Sequence, residues 1–378
     1  MSSNTQTKEA LSIEQRDYLR LALTPGIGPQ LFHNLMEYFG TPSDVLQAKL
    51  SQLHEVERVG PKLAELVQAS AKDDLIDRVW EDCTTNRVRI LFPNDEEFPR
   101  LLREIPSPPL YLFIRGSIQP ADQLSIAIVG TRHATSYGRM VTEGLARSLA
   151  RNGLTIVSGL ARGIDSIAHR STMEIDGART IAFLGSSVTD IYPPEHDELA
   201  TQISKCGAII SETHPFSKPK AGVFPQRNRL ISGMSLGVVV VEAADRSGSL
   251  ITAGHAGEQG RDLFAVPGPV NSRMSRGCNR LIRDGAILIQ DAQDILEHLG
   301  PLVARAELSP GRVIHHPSEL QLNPQEQQVL QAIEAIPTDL DEVIARSGLA
   351  PSRTLSTISA LEMRGIIRRT GTRTVQRV

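Results

Sequence analysis

Cysteine is scarce in this sequence and what there is stands isolated. Cys83, Cys206 and Cys278 are far apart and form no CxxC pair, which excludes a disulfide framework and gives no zinc-ligand spacing. No run approaches the roughly 20 unbroken apolar residues that a membrane span requires. Met1 to Ala10 is polar, without the apolar region of a signal peptide, so a soluble cytoplasmic protein with no membrane partner is expected. An excess of one charge is also lacking: 40 Lys and Arg stand against 43 Asp and Glu, a formal net charge of -3. Any surface for a polyanion must therefore arise from local asymmetry. Neither GxGxxG nor GxxxxGK[ST] occurs, so a dinucleotide cofactor or a P-loop triphosphatase is unsupported, and no cofactor or metal is expected.

What is present exceeds one hydrophobic core. The chain has 378 residues, 40% of them hydrophobic, which predicts two or three domains. Near the start, Pro25-Gly26-Ile27-Gly28-Pro29-Gln30-Leu31 is weakly repeated as Glu57-Arg58-Val59-Gly60-Pro61-Lys62-Leu63. Each copy leads into apolar residues at helical spacing, as in a helix-hairpin-helix or SAM-like module over residues 1–85. A glycine turn lets such helices cross closely, and the second helix can offer free amides to a DNA phosphate. A small helical packing module without DNA contact is the alternative. A proline-rich stretch from Phe92-Pro93 to Pro109 then reads as a junction without regular structure.

From there the pattern changes to short apolar runs alternating with helical stretches. Ile126–Val129, Leu154–Val157, Thr180–Leu184, Ala208–Ile210, Val238–Val241 and Leu263–Val266 read as strands buried on both faces. The predicted core, residues 86–300, is an α/β fold with an extended Rossmann-like, doubly wound parallel sheet. Residues 301–317 carry Pro301, Pro310, Gly311 and Pro317 without periodicity and read as a linker. Residues 318–378 show three amphipathic helices and a two-stranded wing around Thr370-Gly371-Thr372, a winged helix-turn-helix pattern. From Pro351 onward, Arg353, Arg364, Arg368, Arg369, Arg373 and Arg377 face the single acid Glu362. Ser352, Arg353 and Thr354 at the start of the third helix, with Arg368, Arg369 and Arg373 on the wing, are the candidate DNA contacts of this domain. A protein-docking module with a solvated basic face is the alternative.

In an open parallel sheet, ligands bind beyond the carboxyl ends of the strands. Three of those ends place glycine beside a hydroxyl near a helix start: Gly130-Thr131-Arg132, Ser158-Gly159 with Arg162 close behind, and Ser247-Gly248-Ser249 leading to Thr252. Open amides and the helix dipole favour an anion there. Lys218, Lys220, Phe224, Arg227, Asn228 and Arg229 add cations, an amide and a ring just before a helix. Arginine can fork onto phosphate and Phe224 can stack a base. Arg132, Arg227 and Arg229 are expected to line one crevice with the amides of Gly130, Gly159 and Gly248. The blander arrangement pairs Arg227 or Arg229 with Glu242 or Asp245. Asp165 and His169 are four apart on one helix face, and a capping acid with a structural histidine is the preferred reading. No neighbouring nucleophile and base appear, so no enzyme is expected.

This ordered set of motifs resembles the DprA/Smf family from about Leu91 to Gln290. It comprises Gly130-Thr131-Arg132, Ile156-Val157-Ser158-Gly159-Leu160-Ala161-Arg162-Gly163-Ile164-Asp165, Phe224-Pro225-Gln226-Arg227-Asn228-Arg229, Ser247-Gly248-Ser249-Leu250-Ile251-Thr252-Ala253 and Val266-Pro267-Gly268. The resemblance implies an extended Rossmann fold, homodimerisation, single-stranded DNA binding without nucleotide hydrolysis, and loading of RecA recombinase in natural transformation. The helical module and the winged helix match the longer family members. Thr131 stands where the family usually has serine, and Thr213-His214-Pro215-Phe216 replaces a Pro-Gly turn, leaving open which of Lys218 and Lys220 reaches DNA. Dimerisation is expected through Leu281, Ile282 and Ile287, a short helix beside an edge strand.

Two other classes compete. Nucleoside monophosphate ribohydrolases of the lysine-decarboxylase-like family share this type of sheet, but their Pro-Gly-Gly-x-Gly-Thr-x-x-Glu loop corresponds here to Arg246–Ala253 with no terminal acid. A winged-helix transcription regulator would instead bind duplex tightly through residues 318–378 alone.

Overall fold

The computed structural model describes residues 11–217, 222–299, 306–309, 312–314, 322, 324–333, 338–363, 366–371 and 373–377. The described chain opens with helices α1 (Ile13–Leu23), α2 (Pro29–Phe39), α3 (Pro42–Gln47), α4 (Leu50–Leu53), α5 (Pro61–Ser70) and α6 (Leu75–Thr85). Ser12 starts α1 with a capping box closed by Gln15, satisfying amides that the first turn leaves open. The internal repeat is realised as two equivalent helix starts. Gly28 and Gly60 are the caps of α2 and α5, and Pro29 and Pro61 take the first helical positions, where a missing N–H costs nothing. Gly26, at φ +97, turns the chain beside Leu63.

The core runs β1 (Arg89–Leu91), α7 (Arg100–Arg103), β2 (Leu112–Gly116), β3 (Ser125–Gly130), α8 (Ser136–Arg151), β4 (Thr155–Ser158), α9 (Ile164–Met173), β5 (Thr180–Leu184), α10 (Asp197–Cys206) and β6 (Ala208–Ser211). It continues with α11 (Val223–Met234), β7 (Gly237–Val241), α12 (Ser249–Glu258), β8 (Asp262–Ala265), α13 (Arg276–Arg283), β9 (Ile287–Leu288) and α14 (Ala292–Leu299). One nine-stranded sheet has the order β1-β2-β6-β5-β4-β3-β7-β8-β9. Pairings from β6 to β9 are parallel, whereas β2 joins β6, and β1 joins β2, antiparallel. The proline-rich stretch read as a junction, Phe92 to Pro109, lies between β1 and β2 and contains the short α7. Its prolines flank the short strands instead of interrupting them, the position a strand tolerates.

Alternation along the strands divides the interior into two layers. Ala127, Val129, Val238 and Val240 face α11, α12 and α13, and Ile126, Ile128, Val239 and Val241 face α8, α9 and α14. Leu19, Leu23, Ile76 and Val79 of the N-terminal helices enter a further cluster with Phe113, Ala182 and Leu199, so they pack on the flank of the sheet.

Beyond α14, β10 (Ala306–Ser309) pairs antiparallel with β11 (Arg312–Ile314). A short hairpin thus lies within the stretch read as a linker; strands this short carry too little alternation to be read from the sequence. The closing module has α15 (Pro324–Gln331), β12 (Thr338–Asp339), α16 (Leu340–Ser347), α17 (Pro351–Met363), β13 (Ile367–Arg369) and β14 (Thr374–Arg377). Its strands are ordered β12-β14-β13, around a core that includes Val343, Ile358, Leu361 and Val375. No described helix is long and apolar enough to cross a membrane.

Candidate nucleic-acid interface

Strand order places a switch point between β3 and β7: the chain winds outward through β4, β5 and β6 on one side and through β8 and β9 on the other. Loops leaving such neighbours diverge and leave a crevice. Here it is a cavity of about 580 Å³ lined by Gly130, Arg132, Asp165, Arg227, Ser247 and Gly248 among others. Gly130 is dictated by packing, because a Cβ there would stand 1.9 Å from the carbonyl oxygen of Val241. The following residue, Thr131, is buried; its amide donates to Glu242 O at 2.7 Å and its hydroxyl accepts from the His133 amide. Arg132 is exposed on the crevice rim and has no carboxylate within 4.0 Å among the described residues.

The second loop differs from expectation. Ser158 is fully buried and donates to Ile128 O at 2.6 Å, so its hydroxyl is spent within the sheet. The amides of Gly159 and Ala161 donate to Asp165 Oδ2 at 3.1 and 3.4 Å, which removes the Gly159 amide as a phosphate donor. Asp165 is thus the capping acid of the loop. Burial pushes its carboxyl up, opposed by the Arg227 guanidinium and these amides. His169 is fully buried, with Nδ1 2.7 Å from Thr180 Oγ1. Because that hydroxyl donates to Ile156 O, the imidazole is the donor. Burial lowers its pKa to about 3, which leaves a neutral structural histidine, as preferred from the sequence.

The third loop lies at the start of α12. Gly248 caps α12 without a side-chain hydrogen bond, Ser247 and Ser249 hydroxyls lie 2.8 Å apart, and both line the crevice with Gly248 and the buried Thr252. The positive end of α12 faces the cavity, a setting that favours an anion.

From Val223 on, the segment expected ahead of a helix is itself the first two turns of α11. Phe224, Arg227 and Asn228 have i, i+3, i+4 spacing and share the face that lines the crevice, while Arg229, two residues beyond Arg227, points away. This corrects the expectation of three crevice arginines. Arg229 Nη2 donates to both carboxylate oxygens of Glu212, at 2.6 and 2.8 Å, leaving the crevice to Arg132 and Arg227. Neither arginine of α11 pairs with Glu242 or Asp245: Glu242 accepts from the Thr135 amide at 2.9 Å, and Asp245 lies 3.9 Å from Arg276. Arg227 is buried and donates to the carbonyl oxygens of Gly159, at 2.6 Å, and Phe183. A Cβ on Gly159 would come within 2.7 Å of its guanidinium, so that glycine serves the arginine. Desolvation lowers the Arg227 pKa to about 10, with Asp165 opposing and Arg132 adding to the fall. Two cations thus converge on one cavity, and an anion between them relieves their repulsion. Asn228 Nδ2 reaches Gly248 O at 3.3 Å, tying the helix to the third loop.

Arg162 stands at the mouth, paired with Glu195 at 2.5 Å. Phe224 is half-buried, and its ring centroid lies 5.4 Å from that of Tyr192. Tyr192 lines the crevice and was missed from the sequence; its only signal there is an aromatic residue in the connection that follows β5. Lys218 and Lys220 lie outside the described residues.

Elsewhere, Leu281 and Ile282 are half-buried against the core, Ile287 packs on the other layer, and β9 forms one edge of the sheet. In the closing module Ser352 and Arg353 are exposed at the start of α17. Thr354 is fully buried and its hydroxyl lies 3.3 Å from that of Ser347, a correction that removes it as a DNA contact. On the wing, Arg369 pairs with Glu362 at 3.1 Å and Arg373 with Asp341, whereas Arg368 is exposed without a carboxylate partner among the described residues.

Comparison with known proteins agrees with this layout. Residues 89–300 match the family described as DNA recombination-mediator protein A, residues 313–371 the DprA winged helix domain, and residues 18–73 the SAM-like helix-hairpin-helix tandem. Protein Smf of Synechocystis sp. is 34% identical over 385 residues, covering 94% of this chain and 96% of the relative. The X-ray structure of DNA processing protein A from Streptococcus pneumoniae aligns with a TM-score of 0.65 at 32% identity, covering 74% of this chain and 97% of that one. DNA processing protein A from Helicobacter pylori, whose structure concerns its single-stranded DNA binding mode, aligns with a TM-score of 0.51 at 33% identity over 56% of this chain and 95% of that one. With the core family match spanning more than half of its length, the chain belongs to the DNA recombination-mediator protein A family, known as DprA or Smf.

Proposed function

We propose that this protein holds single-stranded DNA in the crevice between β3 and β7, shields it, and passes it as a homodimer to a RecA-type recombinase during natural transformation. The observation that carries this reading is the convergence of Arg132 and Arg227 on one cavity at the N-terminal end of α12. Guanidinium groups and the positive end of a helix dipole both favour a phosphate. The reading is one of binding without catalysis: the Asp165 carboxylate accepts from two amides and His169 is sealed inside, so neither is poised to move a proton on a ligand. In this proposal the subunits meet along the β9 edge. Arg353 and Arg368 of the winged helix hold further backbone phosphates.

A gel-shift comparison of single-stranded and duplex DNA at two salt concentrations tests the proposal, with nucleoside monophosphate turnover assayed alongside. Tighter, salt-sensitive binding of the single strand without turnover is expected. Release of free base would restore the ribohydrolase reading, and duplex preference retained by residues 318–378 alone would favour a regulator.

A further inference from the structure

The helix between β8 and β9 carries charge that the crevice does not use. A 3-10 turn, Arg273–Ser275, runs directly into α13, and Arg273, Arg276, Arg280 and Arg283 recur along the two at i, i+3, i+7 and i+10. That spacing aligns four guanidinium groups on one side of a helix, and all four residues are exposed. The other side is committed to the interior: Gly277 and Cys278 are buried, and Leu281 and Ile282 pack against the core. Little acid answers the row. Arg276 stands 3.9 Å from Asp245 and Arg283 3.7 Å from its neighbour Asp284, too far for direct hydrogen bonds. Arg273 and Arg280 have no carboxylate within 4.0 Å among the described residues.

The row starts at the crevice. The Gly277 amide donates to Ala243 O at 2.7 Å, and a Cβ on Gly277 would come within 2.6 Å of that oxygen, so α13 is pinned against the loop that follows β7. Met274 Sδ lies 3.8 Å from the Thr131 hydroxyl, in the loop that follows β3. The first turn thus touches both loops that bound the cavity, and the row ends about 15 Å away at about 1.5 Å per residue. We infer that these arginines form an outer track for a nucleic-acid backbone, on which a strand leaving the crevice lays further phosphates along α13. This assignment rests on the crevice reading and extends it beyond the cavity. Guanidinium groups set along a line suit a chain of phosphates, and such contacts take any base sequence. The junction with an anion-favouring cavity selects a polyphosphate chain over an acidic protein segment, since one strand then satisfies both surfaces.

The test uses the full chain and a fluorescent oligothymidine long enough to leave the crevice. Arg273→Gln with Arg280→Gln removes the two charges that have no carboxylate partner among the described residues. As a charge-matched control, Arg151→Gln with Arg170→Gln removes two exposed charges from the last turns of α8 and α9, at the opposite end of the sheet. The row pair should bind more weakly, with a log–log salt slope lower by about 1.4 for two contacts at about 0.7 each, while the control pair keeps the wild-type slope. A wild-type slope in the row pair, or an equal fall in the control pair, overturns the track. Failure of the crevice reading looks different: Arg132→Ala would then keep the wild-type affinity and slope, whatever the row pair shows.

Discussion

Arg132 and Arg227 border the same cavity, yet the structure assigns them unequal costs of removal. Arg227 donates to the carbonyl oxygens of Gly159 and Phe183 and offsets the buried Asp165 carboxyl. Each charge-assisted hydrogen bond of this kind contributes about 1.5 kcal/mol, about 3 kcal/mol for the two. Arg227→Ala should therefore destabilise the core by roughly 3 kcal/mol or more, which lowers its melting temperature by roughly 10 °C at about 2–4 °C per kcal/mol for a unit of this size. Arg132 is exposed and unpaired among the described residues, so Arg132→Ala should stay within about 0.5 kcal/mol of the wild type. Circular dichroism melts of both variants, followed by oligothymidine titration well below the lower melting point, separate the two roles. If Arg227→Ala melts with the wild type, its guanidinium does not hold the loops after β4 and β5 together, and the electrostatic account of the crevice fails.

Further outcomes follow from the same contacts. Burial holds the His169 pKa near 3 in the folded protein, whereas the unfolded chain takes up that proton near pH 6.5. Stability from this group is therefore complete above about pH 6.5 and is lost toward pH 3 at up to ~1.4 kcal/mol per pH unit. Chemical denaturation of His169→Gln, which keeps a donor for Thr180, should show a shallower loss between those limits; an equal slope would place the acid sensitivity elsewhere. Leu288 is 45% exposed on β9, so Leu288→Arg probes the edge more cleanly than the half-buried Leu281 and Ile282. A folded monomer by light scattering is expected, and an undiminished dimer mass would remove the β9 edge from the interface. For the winged helix, Arg353→Ala with Arg368→Ala should lower the log–log salt slope for single strands by about 0.7 per lost contact, and an unchanged slope would return those arginines to a solvated face.

The sheet was legible because its strands are continuous β-branched runs, and the crevice because three of their carboxyl ends carry glycine beside a hydroxyl. What escaped has physical causes. Arg227 and Arg229 look equivalent in a segment read as a loop, but once the helix begins at Val223 a two-residue separation sends them to opposite sides. An amide's partner is not written in its own residue: the Gly159 N–H is claimed by Asp165, six positions away. Thr354 was decidable from spacing, since Thr354, Ile358 and Leu361 are i, i+4, i+7 and share the buried face of α17. Tyr192 belongs to no motif, and only the folded connection between β5 and α10 brings it to Phe224.

The central claim, that the crevice holds DNA phosphates, is tested most directly by titrating fluorescent oligothymidine with wild type and Arg132→Ala across a series of salt concentrations. Arg132 lines the cavity without a carboxylate partner among the described residues, so its removal deletes a contact while sparing the fold. The account predicts weaker binding and a log–log salt slope reduced by about 0.7 for one lost phosphate contact on a single strand, with the melting temperature retained. Wild-type affinity and wild-type slope in the folded variant would contradict it.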